Sequence, residues 1–101
     1  MNKTYTIDEI EKKSKIIFAK NNVARAYLFG SYAYGSPHGN SDIDIALDAK
    51  NTSFLRICGM MEELSQIFGK SIDIFDFREI EKDSNIMKQI EQKGVLLYEA
   101  Q

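Results

Sequence analysis

Cysteine, histidine and proline are scarce in this sequence. Its 101 residues contain one of each, and no tryptophan. The single cysteine, Cys58, excludes a disulfide within the chain, and Cys58 with His38 supplies too few ligands for a zinc site. No apolar run approaches the roughly 20 residues of a membrane span, and the N-terminus has no apolar signal core. We therefore expect a cytoplasmic protein with no membrane partner.

Neither sign of charge dominates the chain. Thirteen Lys and Arg stand against fifteen Asp and Glu, which gives a formal net charge of −2. The basic residues are dispersed, whereas proteins that bind many nucleic-acid phosphates need clustered Lys and Arg. We therefore expect no direct nucleic-acid partner. The length allows one modest core, so residues 1–101 should form a single domain whose groove is shallow or completed by a partner.

Local patterns predict helices and strands in alternation. Thr6 and Glu9 have the spacing of a capping box, which predicts a helix from there to about Lys20. β-Branched and aromatic residues predict four strands. The predicted strands are Val23–Phe29, Ile43–Leu47, Ile72–Phe77 and Val95–Tyr98. The expected caps of the two later helices are Asn51 or Thr52, and Asp83 or Ser84.

The longest predicted helix, which Gly69 should close, has apolar residues at steps of three and four. They are Phe54, Ile57, Cys58, Met61, Leu64 and Phe68. This spacing predicts one stripe facing the core, with Cys58 as a small buried hydrophobe. If a short helix follows Gly30, the order is αβαβαβαβ, which implies an α/β (α+β) fold: a small mixed sheet with helices packed on it.

Gly30 and Ser31 directly follow the first predicted strand. Glycine permits a positive φ and a close approach of the backbone to a ligand. If a helix begins near Ser31, its free N–H groups form a seat for an anion such as a triphosphate. By itself, Gly-Ser at the end of a strand is more often an ordinary turn.

Asp42 and Asp44 begin the second predicted strand. Because strand side chains alternate between faces, both carboxylates point the same way while Ile43 points into the core. The two carboxylates repel each other, and a hard divalent cation between them relieves that repulsion. An isolated Asp-x-Asp is more often the solvent-facing edge of a strand, so this motif needs a third element.

Asp73 supplies that element, because it is an acid inside the apolar segment Ser71–Phe75. An unpaired carboxylate is costly in a core strand, so Asp73 either faces water or serves a site. Beside Asp42 and Asp44 it would complete a cluster of three carboxylates. Such a cluster next to a phosphate-binding turn is typical of phosphoryl transfer assisted by two Mg²⁺ ions, with Asp73 as ligand and proton acceptor.

His38, in a turn-rich loop, should be a solvated residue.

Taken together, three motifs resemble the nucleotidyltransferase signature of the DNA polymerase beta superfamily. They are Gly30-Ser31-Tyr32-Ala33-Tyr34-Gly35, Ser41-Asp42-Ile43-Asp44-Ile45 and Ile72-Asp73-Ile74. The short chain is similar to the minimal nucleotidyltransferase (MNT) branch, which includes MntA-type antitoxins. The resemblance implies that Gly30 and Ser31 contact the nucleotide's phosphates. It also implies that Asp42, Asp44 and Asp73 bind Mg²⁺ and are catalytic, with ATP as the substrate.

MntA-like members transfer AMP from ATP to a tyrosine of a HEPN toxin, an RNase, and so neutralise it. The resemblance implies the same activity and the same kind of partner for this chain. Relatives commonly carry Arg where this chain has Tyr34, so Arg25, Arg78 or a partner residue would have to supply the missing positive charge.

Two alternative functions are an antitoxin with weak or no catalysis that acts by binding alone, and a transferase for small molecules. The lack of room for an acceptor domain disfavours the last.

Overall fold

The structure is a computed structural model that describes residues 3–101, within which four α-helices alternate with four strands. In chain order the elements are α1 (Ile7–Lys20), β1 (Arg25–Phe29), α2 (Ser31–Tyr34), β2 (Ile43–Asp48), α3 (Phe54–Phe68), β3 (Ile72–Asp76), a 3₁₀ turn (Phe77–Glu79), α4 (Asn85–Lys93) and β4 (Val95–Glu99). The predicted αβαβαβαβ order is confirmed. None of the helices in this described part has both the length and the apolar character to span a bilayer.

The four strands form one mixed sheet in the order β3-β2-β1-β4. β1 pairs antiparallel with β2 and β4, whereas β2 and β3 are parallel and are joined by the crossover helix α3. The register places Phe29 opposite Asp44, and Asp44 opposite Asp73. The sheet therefore brings the second and third motifs to neighbouring positions at the same end.

Two strands are shorter than predicted because the residues at one end of each belong to an adjacent turn. β1 begins at Arg25, since the Val23 amide donates to the Phe18 carbonyl at 3.2 Å and belongs to the turn after α1. β3 ends at Asp76, whose carboxylate accepts the Arg78 amide at 2.9 Å and caps the 3₁₀ turn.

The capping box at the start of α1 is confirmed. The Thr6 hydroxyl accepts the Glu9 amide at 3.1 Å, and the Glu9 carboxylate accepts the Thr6 amide at 2.9 Å. Both bonds satisfy amides that the first helical turn leaves without partners. The buried residues of α1 are Ile10, Ser14, Ile17 and Phe18.

The sheet has a core on each face. On one face α1 and α3 cover a large cluster that includes Leu28, Ile45 and Leu64. On the other, α4 and the 3₁₀ turn cover a smaller cluster built on Phe29, Ala46 and Ile90. Partly buried side chains extend the smaller cluster: Tyr27, Phe75, Phe77, Ile80 and Ile86. Asp44 alternates with Ile45, and Asp73 with Ile74, so both carboxylates lie on the α4 face at the end of the smaller core.

The predicted cap of α3 was wrong by one or two residues. The cap is Ser53, whose hydroxyl accepts the Arg56 amide at 3.2 Å, rather than Asn51 or Thr52. Thr52 is buried, and its hydroxyl instead donates to the Asn21 carbonyl at 2.9 Å. Thr52 therefore ties the loop before α3 to the turn after α1. The last helix is capped by Ser84, one of its two predicted caps.

The core stripe of α3 also differs from the prediction. Its buried residues are Met60, Leu64 and Phe68, with Ile57 partly buried against them. Phe54 is 75% exposed, Cys58 is exposed and Met61 is only partly buried, so the prediction of a buried Cys58 was wrong. The physical reason is that α3 is apolar on two adjacent faces, and spacing alone does not say which face the sheet covers.

Candidate active site

Gly30 joins the first motif to the second. It ends β1 with a φ of 74° and serves as the N-cap residue of α2, with the Ala33 and Tyr34 amides donating to its carbonyl at 3.0 Å each. A Cβ at this position would collide with a carboxylate oxygen of Asp44. Glycine is therefore required at this position for two reasons. Other residues rarely adopt this backbone conformation, and Asp44 occupies the space that a side chain would need.

Asp44 and Asp73 are direct neighbours across the parallel pair of β2 and β3. The two carboxyl groups are close enough to share a hydrogen bond. Burial, the negative charge of Asp73 and its hydrogen bond, and the charge of Asp42 together raise the pKa of Asp44 to about 6. The structure thus brings together two of the three predicted carboxylates and keeps them unfavourably close to each other.

Asp42 lies one residue before β2 and is exposed, yet it is near enough for its charge to act on Asp44. Within residues 3–101, no three His, Cys, Asp or Glu side chains form a ready-made group of metal ligands. The chemistry of the donors nevertheless fits Mg²⁺, which binds carboxylate oxygens. A divalent cation would also remove the repulsion that contributes to the raised pKa of Asp44.

The loop before Asp42 is fastened to the start of β3. Lys70 donates from Nζ to the Gly39 carbonyl at 2.7 Å, and the Ile43 amide donates to the Ser71 carbonyl at 3.1 Å. These bonds hold both ends of the Asp42 segment beside Asp73. Sequence reasoning missed Lys70, because a contact with a residue 31 positions away leaves no local signal.

His38, in the same loop, is exposed as predicted. Its Nδ1 accepts the Asn40 amide at 3.2 Å, and its own amide donates to the Ser41 hydroxyl at 2.9 Å. Both bonds are local to the loop. His38 therefore shapes the turn ahead of Asp42.

Arg25 and Arg78 lie at the other end of the sheet. Arg25 is opposite Asp48, four residues along β1 from the Phe29–Asp44 pair, which is about 13 Å at the usual rise of a strand. Arg78 donates to the Asp76 carboxylate at 2.6 Å and to the Ala49 carbonyl at 3.2 Å. Neither guanidinium is placed to supply the charge that Tyr34 lacks.

A glycine turn packed against adjacent carboxylates on a mixed sheet is the arrangement expected from the nucleotidyltransferase motifs of the sequence. The family model of the polymerase beta nucleotidyltransferases matches residues 7–101. The chain belongs to this family.

Two curated relatives are named as protein adenylyltransferases. "Putative protein adenylyltransferase MJ0435" of Methanocaldococcus jannaschii is 36% identical over 75 residues, which are 73% of this chain and 81% of that protein. Protein adenylyltransferase MntA of Shewanella oneidensis is 30% identical over 76 residues, which are 71% of this chain and 55% of MntA. The chain thus spans about half the length of MntA.

Among solved structures, a toxin–antitoxin complex with AMP-PNP contains a chain of the same fold. The TM-score is 0.76 at 29% sequence identity, over 90% of this chain and 74% of that one.

Proposed function

We propose that this protein is a Mg²⁺-dependent adenylyltransferase that transfers AMP from ATP to a tyrosine of a HEPN toxin and so acts as its antitoxin. The observation that carries the proposal is the contact between Asp44 and Asp73 beside the Gly30 turn. The named activity of MntA and the toxin–antitoxin complex with AMP-PNP support a protein acceptor and an adenine nucleotide.

Different residues bind the nucleotide and the metal ions. Gly30 and Ser31 bind the phosphates of ATP, while Asp42, Asp44 and Asp73 hold two Mg²⁺ ions. Bound Mg²⁺ neutralises charge on the triphosphate and on the departing pyrophosphate. Asp44 is the most enclosed of the three carboxylates, since Gly30 packs against it.

Asp73 is exposed and is therefore accessible to an acceptor. The tyrosine oxygen forms a bond to the α-phosphorus of ATP, and the bond from that phosphorus to the bridging oxygen breaks. Pyrophosphate leaves with the electron pair of the broken bond, and Asp73 accepts the tyrosine proton. Apart from this proton transfer, the protein contributes by positioning the reactants.

A transfer assay with labelled ATP, Mg²⁺ and the purified partner toxin tests the proposal. We expect wild-type protein to add AMP to a toxin tyrosine, located by mass spectrometry, and the Asp42→Asn plus Asp44→Asn variant to lose the activity. Asp83→Asn, an exposed position ahead of α4, is the matched control and should retain it. Transfer that survives the double substitution would contradict the assigned site.

Tyr34 favours a second candidate function, an antitoxin that acts by binding alone. Its side chain is 48% exposed at the end of α2, where the family resemblance led us to expect Arg, and Arg25 and Arg78 are too distant to replace that charge. Neutralisation of the toxin by the double Asp variant without ATP would support this candidate. Neutralisation that requires ATP and both carboxylates would exclude it.

A further inference from the structure

α3 has two apolar stripes, and the core uses only one of them. The second stripe consists of Phe54, Cys58 and Met61, of which Phe54 is 75% exposed and Cys58 is exposed. A surface helix ordinarily turns polar residues outward, and a contiguous apolar patch at the surface marks an interaction site. The second stripe therefore needs a partner that the fold itself does not provide.

The second stripe leads into a groove between α3 and the start of β3, which we call the α3–β3 groove. The groove has a volume of about 450 Å³. Cys58, Met61 and Ser65 line its helix side, and Ile72 and Asp73 line its strand side. Asp73 lines the groove at the edge of the sheet, while its carboxylate lies on the α4 face, so the groove and the candidate active site meet across the edge formed by β3.

The strand side of the groove is the edge of the sheet. In the order β3-β2-β1-β4, β3 has a neighbouring strand only on its β2 side within the described residues. The backbone N–H and C=O groups on an edge can pair with an extended segment of another protein, which adds a strand to the sheet. The α3–β3 groove thus combines an apolar wall with a strand edge.

The charges of the groove select the kind of segment that fits. Glu62 and Asp73 line it, and no Lys or Arg in the described part of the chain does so. A phosphate-rich ligand would be repelled, whereas a neutral or basic peptide is compatible with these walls. Apolar contacts with the second stripe and attraction to Glu62 would then act on the same peptide.

We propose that the α3–β3 groove binds the acceptor segment of the partner protein as an extended, neutral or basic peptide. An apolar side chain of that peptide packs on the second stripe, and a neighbouring hydroxyl-bearing residue, which alternates to the opposite face of the added strand, reaches the Asp73 carboxylate. This inference rests on the proposed function, because the hydroxyl is the group that receives AMP. It adds a docking surface that borders the metal and nucleotide site at Asp73.

Cys58 makes the groove directly testable, because it is the only cysteine in the sequence and is exposed on the groove wall. We expect alkylation with a bulky maleimide to raise the KM for the toxin on the order of tenfold, as for a blocked central contact of an interface. The KM for ATP should not change. The toxin should protect Cys58 from alkylation, whereas ATP with Mg²⁺ should not, and the Cys58→Ser variant should resist the maleimide.

A pair of lysine substitutions on α3 provides a second test that needs no labelling. Ser65→Lys places bulk and positive charge in the groove, and we expect it to raise the KM for the toxin. Gly59→Lys adds the same charge on an exposed position of α3 where a Cβ meets nothing within 4 Å, and it should leave that KM unchanged. Circular dichroism verifies that both variants are folded.

The outcomes separate this inference from the proposed function. Transfer of AMP with an unchanged toxin KM in both the alkylated protein and Ser65→Lys would overturn the groove and leave the function standing. Protection of Cys58 by a toxin that receives no AMP would overturn the function and support the groove. A toxin that neither receives AMP nor protects Cys58 would overturn both.

Discussion

Asp44 and Asp73 occupy paired positions on parallel strands, and their proximity destabilises the folded protein when no metal is bound. Burial, followed by the charges of Asp73 and Asp42, raises the pKa of Asp44 to about 6 from its ordinary value of 3.8. A carboxyl group with a raised pKa in the folded state contributes stability below its unfolded pKa. That contribution is lost as the pH rises through 6.

The Asp44→Asn variant should therefore be more stable than wild type at pH 7.5 in EDTA. After a discount for partial solvent screening, we expect a gain of roughly 1–2 kcal/mol. At this chain length each kcal/mol corresponds to about 4–8 °C in Tm. The gain should shrink toward zero at pH 4, where Asp44 is protonated. Thermal unfolding at the two pH values measures it, and a lower Tm for the variant at pH 7.5 would contradict the assigned cause.

Mg²⁺ should reverse this order of stability. A ligand that binds only the folded state stabilises it by about 2.7 kcal/mol at one hundred times its Kd, which exceeds the gain expected for Asp44→Asn. We expect Mg²⁺ to raise the Tm of wild type and of the Asp83→Asn control, but not that of Asp44→Asn. An equal increase in all three proteins would show that Mg²⁺ acts elsewhere.

Gly30→Ala should abolish transfer and destabilise the fold. The new Cβ collides with the Asp44 carboxylate, and the backbone at Gly30 has a φ of 74° and a ψ of −155°. Such a conformation costs a residue other than glycine about 1–3 kcal/mol. Gly35→Ala is the control, because it also has a positive φ but a Cβ there meets nothing within 4 Å. Equal losses of activity in the two variants would mean that the contact with Asp44 is unimportant.

The sequence was sufficient for the features that depend on neighbours in the chain. The Thr6–Glu9 capping box and the Ser84 cap of α4 follow from local spacing. The contact of Asp44 with Asp73 required the further assumption that their two strands are adjacent. The structure confirms this assumption through the parallel crossover over α3.

Features that depend on which surface another element covers were not predictable in this way. α3 has two apolar stripes, and only the tertiary packing shows that Met60 faces the core while Phe54 does not. The antiparallel direction of β1 relative to β2 likewise decides that Arg25 lies far from Asp44. Three consecutive polar residues, 51–53, were available to cap α3, and the bond from Thr52 to Asn21 leaves Ser53 for that role.

Tyr34→Arg should strengthen the binding of ATP. The side chain at this position is half exposed at the end of α2, close in sequence to Gly30 and Ser31. An added guanidinium near the phosphates should lower the KM for ATP by about threefold to tenfold, as expected for a partly exposed ionic hydrogen bond. Tyr34→Gln removes the ring without adding charge and should not produce this gain. A higher KM in Tyr34→Arg would place the triphosphate elsewhere.

Asp76→Asn should destabilise the protein at neutral pH through the loss of an enclosed ionic contact. Hydrogen bonds from Arg78 lower the pKa of Asp76, and the Asp76 side chain is buried. Its contribution is therefore present above the unfolded pKa and is lost as the pH falls through the lowered pKa. We expect a loss of about 1–3 kcal/mol at pH 7 that diminishes below about pH 4.

Asp48→Asn is the matched control for this substitution. Its partner Arg25 is 3.8 Å away, and the Asp48 side chain is 21% exposed against 6% for Asp76, so the change should cost less than about 1 kcal/mol. Chemical denaturation at several pH values provides the comparison. A larger loss for Asp48→Asn than for Asp76→Asn would contradict the burial argument.

Lys70→Met should loosen the loop that carries Asp42 without disturbing the core. The substitution removes the 2.7 Å bond from Nζ to the Gly39 carbonyl but keeps most of the aliphatic length of the side chain. We expect faster amide hydrogen exchange in residues 36–42 and a fall in kcat of about tenfold, because Asp42 is held less firmly beside Asp73. Lys70→Arg should restore both, and the exposed control Lys82→Met should change neither. If kcat fell while the exchange of residues 36–42 stayed at the wild-type rate, Lys70 would act on the reaction by its charge and not by holding the loop.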